Sequence, residues 1–383
     1  IIQLVIFGFQ SGMAVLVSQY WGRGDTDNIN RCMGVALYAV TGFSTIVALT
    51  TFLFPAQVLR LITPNEELVQ LAVSYIQIVG FSYIFNGVSS IYAGIQRSTE
   101  YPAFGMILFA ISMCVNTFLN FVLIFAMGVT GAAVATFASR VVEFAVAVGF
   151  ALWNKRLPLR PACILRPGRD ILRSFLKYST PVVCNETLWS MGTSMLTVIM
   201  GHMANSQDML AAYALIGNID KLSTVVCFGI AAASAVIIGK EIGMGRDRER
   251  VYSVGWTLLV VSLLVGVVVM ALLLTLLPLF FRPVLFPLFK LTAGAAEVAG
   301  YLAVVYAVFM PMRAFDVTNI TGVLRAGGDV KVAAFIDNGP LWLASIPLMA
   351  LAGLVLNAPT WLVCVSMQAE NLCKCPLGLI RFR

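Results

Sequence analysis

Two halves of this chain carry the same pattern of residues, and this internal repeat limits the architectures that the chain can adopt. One set of matches lies 221 residues apart: Phe7-Gly8, Ala14-Val15, Gly22 and Gly24 return as Phe228-Gly229, Ala235-Val236, Gly243 and Gly245. A second set lies 228 residues apart: Phe81, Gly94 and Arg97 return as Phe309, Gly322 and Arg325. Two hydrophobic halves of like pattern are typical of transporters in which one helical bundle moves against the other around a central site.

The composition indicates a membrane protein. The chain is 60% hydrophobic and only 11% charged, whereas a soluble domain carries roughly 25% charged residues. Apolar stretches of about 20 residues or more recur along the chain, and each can cross the hydrocarbon core of a bilayer. We place eleven of them near residues 1–21, 33–54, 68–96, 103–126, 130–153, 171–203, 209–239, 252–281, 298–324, 331–355 and 358–380. The sequence therefore predicts an all-α integral membrane protein.

The repeat also predicts that each half has six helices. At an offset of 221, the span 171–203 has its counterpart before residue 1, and the span 209–239 maps onto the start of the first span. We therefore expect that about 50 N-terminal residues, with the first helix, are absent from this chain. The predicted domains are an N-terminal bundle, 1–153, with helices two to six; a linker, 154–170; and a C-terminal bundle, 171–383, with helices seven to twelve.

The distribution of basic residues predicts the orientation in the membrane. With the linker 154–170 in the cytoplasm, nineteen Lys and Arg residues fall on the cytoplasmic side, and only Arg60, Arg282 and Lys290 fall outside. Such an excess is the positive-inside pattern of multi-pass plasma-membrane proteins, here of a bacterial inner membrane. The net charge of +7 then reflects topology, and no nucleic-acid partner is expected. Short basic loops can also touch anionic lipid.

Four ordered strings resemble one transporter family. They are 12–25 (GMAVLVSQYWGRGD), 116–125 (NTFLNFVLIF) followed by 131–136 with Arg140 and Glu143, Pro181 with Glu186 and Trp189, and 322–329 (GVLRAGGD). These strings resemble the second helix, the fifth and sixth helices, the seventh helix and the loop after the tenth helix of multidrug and toxic compound extrusion (MATE) transporters. The resemblance covers the whole chain and implies the MATE fold, two pseudo-symmetric six-helix bundles. The absent first helix carries a functionally important Asp in many bacterial members, so that role is not assigned here.

Charged residues within the spans are the candidates for coupling and binding, because an ionisable group at the bilayer centre costs at least ~2.5–3.5 kcal/mol. Glu186 lies near the middle of its span and one turn before Trp189, so the two side chains share a face. A carboxylate beside an aromatic ring suits a lipophilic cation, and burial makes protonation an available switch. The resemblance likewise implicates an acid at this position in cation coupling. The alternative is a carboxyl that is only hydrogen-bonded to neighbouring helices.

Asp316 is the second candidate for cation coupling. Its counterpart in the first half is Val88, as expected if one half alone carries the coupling site. The resemblance implies that a tenth-helix acid near this position takes part in binding Na⁺ or H⁺. Apart from Na⁺ at Glu186 and Asp316, we expect no bound metal and no cofactor. The alternative is that Arg313, one turn earlier, neutralises Asp316 and acts as a structural or gating charge.

Two further pairs of charges lie in the spans. Arg140 and Glu143 are spaced for a local ion pair, and Glu370 stands at the equivalent place in the second half at an offset of 227. A feature present in both halves indicates a structural or gating role. Asp220 and Lys221 are adjacent and point about 100° apart, so at least one should face the central cavity. We assign Asp220 to substrate binding and Lys221 to a structural or gating role.

Enzyme functions are disfavoured by the inventory of residues. The single histidine, His202, rules out a metal site built from several histidines. Cys373 and Cys375 lie on the predicted cytoplasmic side, where disulfides are rare. No Gly-x-x-x-x-Gly-Lys-Ser/Thr string is present, so ATP is not expected to be the direct energy source.

These observations predict a monomeric secondary antiporter that exports an organic cation or drug in exchange for Na⁺ or H⁺. Two alternatives remain open. A flippase for lipid-linked oligosaccharides, from the same broad superfamily, should have a more basic cavity than this sequence indicates. A channel would not require paired halves and would conduct without exchanging a counter-ion.

Overall fold

The structure, a computed structural model, describes residues 2–60 and 65–382. Across these residues it is built from helices and contains no β-strand, which confirms the predicted all-α class. The predicted ranges that begin at residue 1 or end at residue 383 extend just outside the described part.

The helices form two compact units, Ile1–Val183 and Cys184–Arg383. The boundary falls inside α8 (Arg169–Gly201), so the predicted linker 154–170 belongs to the first unit. The earlier helices of that unit are α1 (Ile2–Gly22), α2 (Thr26–Leu53), α3 (Pro55–Arg60), α4 (Glu66–Ser98), α5 (Pro102–Met127), α6 (Val129–Trp153) and α7 (Pro161–Leu165).

The second unit continues from α8 to the end of the chain. Its helices are α9 (Ser206–Gly243), α10 (Arg248–Leu276), α11 (Phe286–Leu288), α12 (Ala293–Val317), α13 (Val330–Pro340), α14 (Ile346–Ala350), α15 (Thr360–Met367) and α16 (Ala369–Phe382). Wider π-helical segments connect several of them: Leu277–Leu285, Thr318–Leu324, Leu341–Ser345 and Leu351–Val355. Such segments interrupt the regular hydrogen bonding of an α-helix and often lie at functional sites.

Nine helices in the part of the chain that the structure describes are long and apolar enough to cross a membrane. They are Ile2–Gly22, Thr26–Leu53, Glu66–Ser98, Pro102–Met127, Val129–Trp153, Ser206–Gly243, Arg248–Leu288, Ala293–Leu324 and Val330–Val355. All nine coincide with predicted spans. A helix satisfies its own backbone hydrogen bonds, which is why apolar segments of this length adopt it in lipid.

The other two predicted spans, 171–203 and 358–380, differ from these nine. The first is helical as part of α8, but it combines charges near its start with Ser, Thr, Asn and Glu residues further along. The second is divided into α15, with 8 residues, and α16, with 14 residues. The break is at Gln368, whose backbone N–H bonds to Val365 in a tighter turn. Neither region is uniformly apolar. Both contain polar side chains, among them Glu186 in the first and Lys374 in the second.

The linker packs closely on α2. The Asn30 side chain donates a hydrogen bond of 3.2 Å to the Pro158 carbonyl oxygen and accepts one of 3.2 Å from the Arg160 backbone N–H. Arg160 also forms an ion pair with Asp27 at the start of α2. These contacts satisfy the backbone of an irregular segment and hold it on the first unit.

Candidate functional site

A network of charged side chains lies within the second unit and is centred on Arg325. Arg325 Nη1 donates a hydrogen bond of 3.2 Å to Glu186 Oε1 on α8. Its Nη2 lies 3.4 Å from Asp337 Oδ2 on α13. Arg325 directly follows the π-helical segment Thr318–Leu324. One buried guanidinium therefore lies between two carboxylates from different helices.

Lys374 on α16 extends this network. Its Nζ donates a hydrogen bond of 3.2 Å to Asp337 Oδ1 and lies 2.8 Å from Glu370 Oε2, one turn earlier on the same helix. Positive and negative groups thus alternate in the order Glu186, Arg325, Asp337, Lys374, Glu370. The arrangement gives each buried cation two carboxylate partners, which offsets its desolvation.

Two asparagines hold the helices that carry the acids. Asn185 Nδ2 donates a hydrogen bond of 2.8 Å to Asp337 Oδ2. Asn338 Nδ2 donates hydrogen bonds of 2.6 Å to Asn185 Oδ1 and 3.1 Å to the Asn185 carbonyl oxygen. Both asparagines are buried. They join α8 to α13 and orient the Asp337 carboxylate between Arg325 and Lys374.

Asp316 near the end of α12 differs from the other acids. It is buried, and neither of its carboxyl oxygens has a hydrogen-bond partner among the described residues. Its charged neighbours are Lys374, Glu370 and Asp337. Asn319, one turn later, is also buried with both polar side-chain atoms unpartnered in the same part of the chain. Burying polar groups without hydrogen-bond partners is costly. The Asp316 and Asn319 side chains are therefore suited to bind a ligand.

We use the name charged cluster for the following six residues: Glu186, Asp316, Arg325, Asp337, Glu370 and Lys374. Four of them are carboxylic acids and two are bases. When all six are ionised, the charged cluster carries two more negative than positive charges. A buried excess of this kind favours the uptake of protons or other cations.

Glu186 and Asp316 belong to the same group of charges, because Asp337 is a charged neighbour of both. Trp189, predicted to share a face with Glu186, is 39% exposed, whereas the Glu186 carboxylate contacts Arg325. Within residues 2–60 and 65–382, no three His, Cys, Asp or Glu side chains are placed to hold a metal ion together.

Asp220 and Arg313 form a separate site between α9 and α12. Both guanidinium NH₂ groups contact the Asp220 carboxylate, the longer contact being 3.1 Å from Nη2 to Oδ2. The guanidinium carbon lies 5.8 Å from the centre of the Tyr306 ring. Arg313 therefore contacts Asp220 and leaves Asp316 unpaired. The adjacent Lys221 is exposed.

In the first unit, Arg140 Nη1 donates a hydrogen bond of 2.5 Å to Glu143 Oε2 on α6. Glu143 is completely buried and Arg140 partly exposed. The predicted counterpart Glu370 pairs with Lys374 one turn later, whereas Glu143 pairs with a base one turn earlier. Each half therefore has an acid–base pair at this place, but only the pair in the second half belongs to a larger network.

Several members of the site were not selected as candidates from the sequence: Asn185, Arg325, Asp337, Asn338 and Lys374. Two of them could have been selected from the sequence alone. Asp337 and Lys374 lie inside the predicted spans 331–355 and 358–380, where the cost of an intramembrane charge marks functional residues. Arg325 and Lys374 are among the nineteen bases that the positive-inside pattern assigns to the cytoplasmic side, yet both are buried.

Known proteins resemble this chain in sequence and in fold. The MatE family model matches residues 1–122 and 181–361. The probable multidrug resistance protein NorM of Thermotoga maritima is 25% identical over 361 residues, covering 91% of this chain and 74% of that protein. The uncharacterized transporter YisQ of Bacillus subtilis is 23% identical over 394 residues, covering 99% and 82%.

A solved structure supports the same fold. A MOP superfamily transporter from Pyrococcus furiosus, described as having a binding pocket of reverse polarity, superposes with a TM-score of 0.87 at 18% identity. The match covers 100% of this chain and 84% of that one.

Proposed function

Because this chain belongs to the MatE family of multi-pass membrane transporters, we propose that it is a secondary active antiporter. It exports an organic cation or drug and admits Na⁺ or H⁺ in exchange. The two compact units are the bundles that alternate access. The names of relatives such as the multidrug resistance protein NorM support export of xenobiotics.

The observation that carries the proposal is the unpaired, buried carboxyl of Asp316. An isolated buried charge costs several kcal/mol even after the surroundings relax. Asp316 is therefore stable in two ways, as a neutral acid that holds a proton or as a carboxylate beside a bound cation. Alternation between the loaded and unloaded states is what coupling to an ion gradient requires.

The exposure of the charged cluster supports a cationic substrate. The Arg325 side chain is only 3% exposed, whereas Glu186 and Asp337 are 14% and 21% exposed. A ligand that reaches this cluster meets carboxylates first, with the basic groups behind them. Carboxylates attract organic cations and repel phosphates. A pyrophosphate-linked sugar is therefore poorly suited to this site, which disfavours the flippase alternative.

Transport measurements test the proposal directly. The protein, produced from its complete coding sequence, is reconstituted in proteoliposomes that contain a fluorescent organic cation. Imposed Na⁺ and pH gradients are then varied separately. We expect one of the two gradients to drive movement of the dye against its own gradient. Movement that only follows the dye gradient, whatever the ion gradients, would identify a channel or uniporter and overturn the proposal.

A further inference from the structure

An apolar cavity of about 540 Å³, open along one side, lies on the first unit between α2 and the beginning of α8. Val35 and Tyr38 on α2 face Leu172, Phe175 and Leu176 on α8 across it. The Tyr38 hydroxyl donates a hydrogen bond of 3.3 Å to the Leu165 carbonyl oxygen of the linker. This bond directs the polar end of Tyr38 to the linker, so the ring remains as an apolar wall.

One basic side chain lines this cavity, and three more lie close to it in the chain. Arg169 lines it, and Arg166, Arg173 and Lys177 are exposed at nearby positions of the chain. Residues 169, 173 and 177 are four positions apart and therefore form one stripe along α8. None of the four bases forms an ion pair with a described residue. Asp170 is the single acid between residues 166 and 177.

Exposed leucines run beside the basic stripe. Leu172 and Leu176 are 44% and 48% exposed, although both also line the cavity. The positive-inside pattern places this end of α8 at the cytoplasmic surface of the membrane. Cationic heads beside an apolar stripe are the pattern of helices that lie at the boundary between lipid headgroups and acyl chains.

We propose that this surface binds an anionic phospholipid of the cytoplasmic leaflet. The lipid phosphate binds the guanidinium groups of Arg169 and Arg173. One acyl chain enters the cavity between Tyr38 and Leu172. Four bases against one acid attract a lipid with a net negative charge, and basic pockets on the cytoplasmic side of membrane helices recognise such headgroups. The apolar walls of the cavity account for an acyl chain in addition to a headgroup. The site is independent of the substrate and the coupling ion proposed above.

Native mass spectrometry of the protein, produced from its complete coding sequence, tests the proposal. The protein is titrated with dioleoylphosphatidylglycerol and separately with dioleoylphosphatidylcholine. We expect the first bound lipid to show a clear preference for phosphatidylglycerol. Equal binding of the two lipids would overturn the proposal. Glycerol phosphate should compete poorly because it lacks acyl chains, and competition equal to that of the lipid would also overturn it.

Variants locate the site. Arg169→Gln with Arg173→Gln should lower phosphatidylglycerol affinity by about tenfold or more, since each base near an anionic surface contributes about fivefold. Arg169→Lys with Arg173→Lys keeps the charges and should retain the preference. The matched control, Arg246→Gln with Arg248→Gln, removes two exposed bases, one in the turn before α10 and one at the first residue of α10, and should have little effect. An equal loss in the control would assign the preference to net charge and reject the site.

A third variant tests the acyl-chain cavity without altering charge. Ala39 lines the cavity, so Ala39→Phe should fill part of it and weaken phosphatidylglycerol binding while the four bases remain. Thermal unfolding of each variant shows whether it is folded. Unchanged lipid binding by a folded Ala39→Phe protein would refute the placement of the acyl chain.

Discussion

Arg325 donates a hydrogen bond of 3.2 Å to Glu186, although the two residues are 139 positions apart in the chain. The acid that sequence reasoning assigned to an external cation is therefore already neutralised by an internal one. A substrate cation or proton that binds at Glu186 has to compete with this guanidinium. Competition of this kind makes binding reversible, which a transporter needs in order to release its substrate.

Asp316→Asn should abolish or severely reduce gradient-driven export, because the amide keeps the shape but cannot alternate between a neutral and a charged state. Dye export from proteoliposomes under Na⁺ and pH gradients provides the measurement. Glu67→Gln is the matched control, an acid-to-amide change at an exposed position, and it should leave export unchanged. Normal export by Asp316→Asn at normal expression would exclude Asp316 from coupling.

Glu186→Gln should also cause a severe loss of export, since it removes the closer carboxylate partner of Arg325, at 3.2 Å against 3.4 Å for Asp337, and one of the four acids. Substrate binding and export should be measured separately. If Asp316 alone couples, this variant will still export with an altered substrate affinity. If both Glu186→Gln and Asp316→Asn transport fully, the proposed site is wrong and Asp220 becomes the leading candidate.

Arg325→Gln should destabilise the protein by about 3 kcal/mol, because it removes the shared cation from two partly buried carboxylates and leaves Lys374 as the remaining base on Asp337. The double variant Arg325→Gln with Glu186→Gln should recover part of this loss, since one of those carboxylates is removed as well. Thermal unfolding in detergent compares the four proteins of the cycle. Strictly additive losses would contradict a direct interaction between these two side chains.

Glu143→Gln should mainly lower expression or thermal stability and should retain coupling to the ion gradient. The completely buried Glu143 carboxylate contacts Arg140 on the same helix, outside the charged cluster. Arg140→Gln is also expected to lower stability, because it leaves the buried Glu143 carboxylate without its base. A folded Glu143→Gln protein that exports dye without any response to ion gradients would instead place this pair in coupling.

The predicted orientation can be tested by impermeant thiol labelling of intact cells. In a background without the native cysteines, a cysteine that replaces Asn357 should be labelled from outside. A cysteine that replaces Lys155 should be labelled only after the cells are opened, because the linker is predicted to be cytoplasmic. Labelling at position 155 alone in intact cells would reverse the topology.

Features that depend on residues close together in the chain could be predicted from the sequence. The apolar stretches identify the membrane helices because hydropathy acts on each segment separately. The ion pair of Arg140 with Glu143 follows from the spacing of residues on one helix. The site was only partly predictable: the cost of burying a charge selects Glu186 and Asp316, but it does not identify Arg325 as the partner of Glu186.

The sequence by itself determined that this chain is a helical membrane protein with two related halves and a small set of intramembrane charges. Only the tertiary structure decided how those charges pair. Arg313 is three residues from Asp316 but contacts Asp220, 93 residues away, and Lys374 reaches Asp337 on another helix, 37 residues away. The helical period defines which residues share a face of one helix. The packing of distant helices decides which faces meet, and that depends on side chains throughout the unit.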